Sequence, residues 1–279
     1  MPVTKNPTIE FAILKELLTN LIRISDTHPE LKTRVAVWMD MRSRIPEYKI
    51  NQDGAIAEWM SDENQDYYAH RHLSHVYPVF PGMEIEEQGM LELIPAFEKT
   101  TKLRQLGYMT GWSLVHMSAI YARLKKNEQA FQSINMLTKV CLLDNFFTLH
   151  NDYRDMGITT TEMGGETFSP VQLDALMGTV NAVQEMLLFV SASKIKLLPA
   201  CPKQFNEGSA KLCFYDGTIH MRWNIEKKMC EVNIVAIRDS EFTLELPFGE
   251  GSKVIRLLKG ESYAVCIGGE SSSAMSSGE

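Results

Sequence analysis

VQLDALMGTVNAVQEMLLFVSASKIKLLPA, residues 171–200, holds the turning point of the chain. Through Val190 the apolar residues Leu173, Leu176, Val180, Val183, Leu187 and Val190 recur at steps of three and four, the spacing of one helix face. Just ahead, Ser169, Pro170 and Gln172 read as an N-cap, a proline at the first helical position and a capping-box glutamine. From about residue 193 the period falls towards two. The stretch therefore predicts a helix followed directly by strands.

Working downstream, KIKLLPA, AKLCFYDG, TIHMRWNIE, MCEVNIVAI, FTLELPF, KVIRLLKG and SYAVCIG are short segments rich in β-branched or aromatic residues. Asp216-Gly217, Lys227-Lys228, Gly249 to Gly251 and Gly260 separate them as turns. Six or seven strands this close together predict an antiparallel β-sandwich over residues 193–268. The tail, residues 269–279, is small and polar and is expected to be disordered.

Upstream the pattern is helical. TIEFAILKELLTNLIRIS places Phe11, Leu14, Leu18, Leu21 and Ile22 on one face. PELKTRVAVWMDMRSRIP carries Leu31, Val35, Trp38 and Met39 at helical spacing and ends at Pro46. Residues 87–106 read as a helix that Pro95 kinks or splits. TGWSLVHMSAIYARL and NEQAFQSINMLTKVCLL follow. With the helix at 172–191 this makes about six, in a helical domain spanning residues 1–192 that suits helix-on-helix packing. The fold class is mainly α plus β.

Composition narrows the function classes. Of 279 residues 44% are hydrophobic, enough for one large core or for one domain plus a smaller one. The net charge of −7, without a basic stripe, argues against nucleic acid as a partner. There is no run of about 18 apolar residues, so no membrane span is expected. The first residues alternate apolar positions with Glu10, Lys15 and Glu16 and do not read as a signal peptide, which makes the cytoplasm the default expectation. Five widely spaced cysteines without a CxxC pair do not suggest a disulfide framework.

Residues 67–82, YYAHRHLSHVYPVFPG, gather His70, Arg71, His72 and His75. Three readings stay open on spacing. His72 and His75 could share a helix face, and His70 and His72 a strand face, but no conformation aligns all three for a metal, and HExxH is absent. The imidazoles could instead pack and hydrogen-bond at a helix terminus. Or Arg71 and a histidine could grip a polar substrate, since arginine offers a fork of donors and histidine can donate or accept. Thr110 to Ser113 reads as a helix start with Thr110 as cap, whose Trp112 either stacks on the apolar face of a sugar or packs in the core. Asp174 is either a solvent-facing acid favoured by a helix N-terminus or a carboxylate lining a cavity. Glu162 and Glu166, in the Gly-rich stretch before it, read as loop acids on a rim.

Six segments in order, NPTIEFAILKELL, IPEYKINQDGAIAEWMSD, HRHLSHVYPVFPG, TGWSLVHMSAIYARL, VQLDALMGTVNAVQEMLL and IKLLPACPKQFNEGS, together resemble the C-terminal half of a glycoside hydrolase family 95 enzyme. The resemblance runs from about residue 5 to about residue 240, and HRHLSH with its proline-glycine turn is the most specific part. It implies a partial (α/α)6 barrel followed by a C-terminal β domain. It implies inverting hydrolysis of terminal α-L-fucosyl or α-L-galactosyl residues, with a fucosylated or L-galactosylated glycan as partner and neither cofactor nor metal. Arg71 and His72 match the residues that contact the sugar, with His70 and His75 as supports, and Asp174 matches the aspartate that assists the water.

The departures are specific. No glutamate here matches the family's general acid, which is expected, with the two water-holding asparagines, upstream of residue 1. Ala175-Leu176 replaces the family's Gly-Asn, and ETFSPVQ stands where the family has HPPFQI. An upstream half-barrel or a homo-oligomer is expected to cover the apolar surface that a partial barrel leaves open. A non-catalytic carbohydrate-binding or structural remnant is the alternative expectation.

Overall fold

The computed structural model describes residues 4–154, 156–157 and 169–268. The expected loop acids Glu162 and Glu166, and the tail at 269–279, lie outside the described residues. The chain divides into two units, residues Met1–Ile120 with Ser133–Gly178, and residues Tyr121–Gln132 with Thr179–Glu279.

The first unit is helical. Helix α1 (Thr8–Ile24) starts after Pro7, and its first residue is tied by Thr8 N–H to Glu58 O at 3.0 Å and by its hydroxyl to Ala57 O at 2.6 Å. It packs on α2 (Val35–Ser43), whose Trp38 is buried. The buried residues of α1 are Thr8, Ala12, Lys15 and Leu18, which leaves Ile13, Leu17 and Ile24 exposed. The inward face is thus rotated from the predicted one, because Lys15 is drawn in by Glu84 at 3.6 Å and lies 4.0 Å over the Tyr48 ring.

Proline splits the predicted helix at 87–106. Helix α3 (Glu84–Gln88) ends at Gly89, whose φ of 69° only a residue without Cβ adopts freely. Pro95 then sits in the first turn of α4 (Ile94–Leu103), where its missing N–H costs nothing. Helices α5 (Gly111–Arg123), α6 (Asn127–Val140) and α7 (Leu173–Leu187) begin or end in this unit and make seven α-helices among the described residues.

Helix α7 differs from its pattern at both ends. It stops at Leu187, because Leu188, Phe189 and Val190 form strand β1 (Leu188–Val190) and pair with β2 (Lys194–Leu197). Ala175, Ala182 and Met186 are its fully buried residues, while Leu173, Met177 and Val180 are more than 60% exposed. The capping box does not form as predicted. Gln172 precedes the helix, and its side chain caps α5 instead, accepting from Trp112 N–H at 2.8 Å.

The second unit is a two-sheet sandwich. One sheet has the order β1, β2, β6 (Ser240–Glu245), β7 (Ser252–Leu257). The other has the order β3 (Glu207–Phe214), β4 (Gly217–Asn224), β5 (Met229–Ala236), β8 (Ser262–Ile267). Alternation in β4 and β5 sends Ile219, Met221, Val232 and Ile234 inward, where they share one core with Phe242, Leu244, Ile255 and Leu257 of the facing sheet. The predicted antiparallel sandwich needs one correction. β2 runs parallel to β6, with Ile195 opposite Leu244, because the connection from β2 to β6 passes through the other sheet. No described helix is long and apolar enough to cross a membrane.

Candidate functional site

Residues 67–73 carry no helix or strand, so their backbone carbonyls lack ladder partners. Three of them, those of Tyr67, Tyr68 and His70, find partners at the end of α4. Arg104, 5% exposed, donates from Nη1 to Tyr67 O at 2.8 Å and to His70 O at 3.3 Å. The next residue, Gln105, donates its N–H to Tyr68 O at 3.3 Å. On its other side the guanidinium faces Glu58 Oε2 at 3.5 Å and His75 Nε2 at 3.4 Å. Burial lifts the Glu58 carboxyl above the usual range, against the pull of Arg104.

The loop so held delivers its imidazoles to α5. His70 and His72 have ring centroids 4.6 Å apart, and His72 lies 4.9 Å from Trp112. Trp112 stacks in turn over His116 at 6.3 Å, one helical turn further on, and His116 meets Phe80 at 5.9 Å. The result is a ladder of five rings. His72 is its exposed member, between half-buried His70 and half-buried Trp112, and Arg71 is half-buried beside it. Arg71 has no hydrogen bond or ion pair among the described residues.

Burial is the main reason these imidazoles resist protonation. His70 is pushed down to about 4 and His116 to about 4, and the charges of Arg71 and Arg104 add to the effect on His70 and His72. His75, 2% exposed, is pushed down to about 3 with Arg104 beside it. A neutral His75 accepts from Arg104 at Nε2 and therefore carries its proton at Nδ1.

The start of α7 is fastened against the start of α5. Besides Gln172 Oε1 on Trp112 N–H, the Thr148 hydroxyl donates to Gln172 O, and Gly111 N–H donates to His150 O at 3.0 Å. A Cβ on Gly111 would meet Leu149 O at 2.5 Å, so glycine is required by this close approach. Thr110, fully buried, stands at the N-terminus of α5, where Ser113 Oγ accepts its N–H at 2.8 Å. Asp174 lies in the first turn of α7, exposed, and accepts from Ala175 N–H at 3.0 Å.

The geometry therefore joins His70, His72 and Trp112 directly and brings the first turn of α7 to the backbone of Trp112. Thr110 and His75 lie behind this surface, with no exposed polar atom of their own to offer. Arg104, Glu58 and His116 were not singled out from the sequence. Arg104 and Glu58 are 46 residues apart, and nothing in local spacing pairs them. Among the described residues, no group of three His, Cys, Asp or Glu side chains is placed to hold a metal ion.

Residues 1–187 match the glycosyl hydrolase family 95 catalytic domain. The chain belongs to glycoside hydrolase family 95. Relatives include "Alpha-L-fucosidase 2" of Arabidopsis thaliana, 29% identical over 72% of this chain and 23% of that protein. "Probable alpha-fucosidase A" of Aspergillus niger is 31% identical over 59% of this chain and 21% of that protein. The Aspergillus oryzae protein of the same name is 25% identical over 62% and 26%. The chain thus spans about a quarter of the length of the curated relatives it matches.

Proposed function

We propose that the helical unit supplies the sugar-gripping and water-activating side of an inverting α-L-fucosidase site built in a family 95 (α/α)6 barrel. The observation that carries this reading is the packing of His72 against Trp112, with Arg71 beside them, without an ion pair among the described residues, and Asp174 in the first turn of the adjoining helix. An indole and an imidazole offer faces to the apolar side of a deoxy sugar, and a guanidinium fork answers its hydroxyls. The natural partner is then a glycan with a terminal α-L-fucosyl or α-L-galactosyl residue.

The reaction is hydrolysis with inversion. Asp174 assists removal of a proton from the attacking water, whose oxygen bonds to the anomeric carbon. The bond to the leaving oxygen breaks as a general acid protonates it from the other ring face. In such enzymes the two carboxyl groups stand roughly 6.5–9.5 Å apart to admit the water. The acid is a glutamate supplied by the complementary half of the barrel. That half, or a second copy, covers the exposed apolar side chains Ile13, Leu17, Leu173 and Met177.

The change to Ala175-Leu176 after the aspartate favours a second reading, in which sugar binding is retained without hydrolysis. Hydrolysis of an aryl α-L-fucoside, assayed with the chain alone and with an upstream half of a family 95 enzyme added, separates the two. Turnover lost in Asp174→Asn supports the first. No turnover in either assay, with L-fucose binding that is lost in Arg71→Ala, supports the second. Neither turnover nor binding overturns both.

A further inference from the structure

We propose that Arg104 is a positioning residue that sets the conformation of the sugar-contact loop by clamping its backbone at Tyr67 and His70 and its flank at His75. The functional half of the proposal rests on the sugar-binding reading above. The structural half does not.

Loop 67–73 has to present Arg71 and His72 outward while making no ladder of its own. A flexible loop would lose that geometry to conformational entropy. Here one planar guanidinium, with donors in fixed directions, replaces the missing ladder. Nη1 bridges Tyr67 O and His70 O, three residues apart, so the chain between them is held as a closed turn. Nη2 reaches past the loop to His75 Nε2 and back to Glu58, whose carboxylate is also hydrogen-bonded to the Tyr67 backbone. The first residue of the HRH segment, Tyr67 before it and His75 beyond it thus converge on one side chain.

The choice of arginine follows from the geometry. A lysine at this depth would place a compact ammonium at one of these acceptors and leave others unanswered, and buried unanswered carbonyls are costly. Glu58 offsets the buried charge, and a neutral His75 is required because a second cation at 3.4 Å would be repelled. Arg104 itself touches neither the His72 ring nor Trp112 in the ladder. Its influence on them runs through the His70 carbonyl.

Arg104→Lys and Arg104→Ala test this, with two readouts and with circular dichroism as the check on folding. The first readout is the pair of imidazole signals of His70 and His72 in nitrogen-15 correlation spectra. The second is L-fucose binding by calorimetry. Both variants are expected to shift the two signals and to weaken fucose by roughly tenfold or more, since charge-assisted hydrogen bonds to the loop are lost. Non-denaturing guanidinium is expected to restore the signals in Arg104→Ala, and an equal concentration of ammonium is not. Unmoved His70 and His72 signals in the folded Arg104→Lys protein overturn the proposal. If the wild-type chain does not bind fucose but the signals shift and are rescued, the sugar reading fails and the positioning role stands.

Discussion

The indole of Trp112 lies 4.9 Å from the imidazole of His72, and the backbone N–H of the same tryptophan donates to Gln172 Oε1 at 2.8 Å. One residue therefore ties the histidine loop to α5 through its ring and ties α5 to the start of α7 through its backbone. The two halves of the candidate site, Arg71 with His72 and Asp174, are registered against each other by this single position. A shift of the first turn of α5 moves both.

Replacing Trp112 is expected to cost binding more than stability. The indole is only half-buried, so truncation opens no closed cavity, but the His72 ring loses its packing surface. Trp112→Ala is expected to weaken L-fucose by about tenfold, from an aromatic contact of roughly 0.5–1.5 kcal/mol plus the sugar face it covers. Trp112→Phe keeps a ring and is expected to recover most of that loss. Calorimetry with both variants checks the order. Equal affinities in wild type and Trp112→Ala would remove Trp112 from the site.

Acid is expected to loosen the helical unit before the carboxylates titrate. Half-buried His116 has its folded value pushed down from 6.5 to about 4, and buried His75 from 6.5 to about 3. The unfolded chain then takes up protons first as the pH falls, so stability is full above about 6.5 and declines towards 4. Glu58, raised by burial, acts in the opposite sense. The contribution of one imidazole is therefore read from a difference: the melting temperature of His116→Gln is expected to fall less between pH 7 and pH 5 than that of the wild type. Parallel slopes would mean that His116 is protonated as easily in the folded state as outside it.

What the sequence disclosed here was periodicity and short motifs. The switch from helix to strand was legible because β4 and β5 alternate strictly and α7 does not, and the seven downstream segments correspond to β2 through β8. The inward face of α7 was not, since Ala175 and Ala182 carry little hydrophobic signal yet are the residues close packing selects, leaving Leu173 and Val180 outside. The parallel pairing of β2 with β6 was likewise hidden, because register between distant strands leaves no trace in either one. At the site, the HRH motif could be seen, but its support could not: Arg104 reads as an ordinary arginine after a helix until the fold brings Tyr67 and His70 to it.

Gly178 supplies a test of the α5 and α7 contact in which the sign decides. In an open helix, glycine to alanine stabilises by about 1 kcal/mol. Here the added Cβ would stand 2.7 Å from Val115 Cγ2 and 3.3 Å from Val115 Cβ, and a β-branched side chain cannot rotate away easily. Gly178→Ala is expected to destabilise by about 1–3 kcal/mol through overpacking. The double variant with Val115→Ala is expected to be more stable than the sum of the single effects, as measured by urea unfolding. A stabilised single variant would show that the two helices are further apart than this packing requires.

In the second unit the corresponding test is the pair Arg123 and Glu185, 62 residues apart in sequence. Arg123 Nη2 donates to Glu185 Oε1 at 3.0 Å, a second bond joins Arg123 Nε to Glu185 Oε2, and the guanidinium lies 4.5 Å over the Phe189 ring. The side chains are 5% and 12% exposed, so neither charge can fall back on water. Removing one partner strands the other, at about 3–5 kcal/mol for a buried pair, whereas removing both leaves no stranded charge and often costs little. Glu185→Leu alone is therefore expected to be far less stable in urea than the Arg123→Met, Glu185→Leu double variant. If the single variant lost less than the double, the pair would be a solvated surface contact, and the close packing of Phe189 beneath it would have to come from the β1 ladder alone.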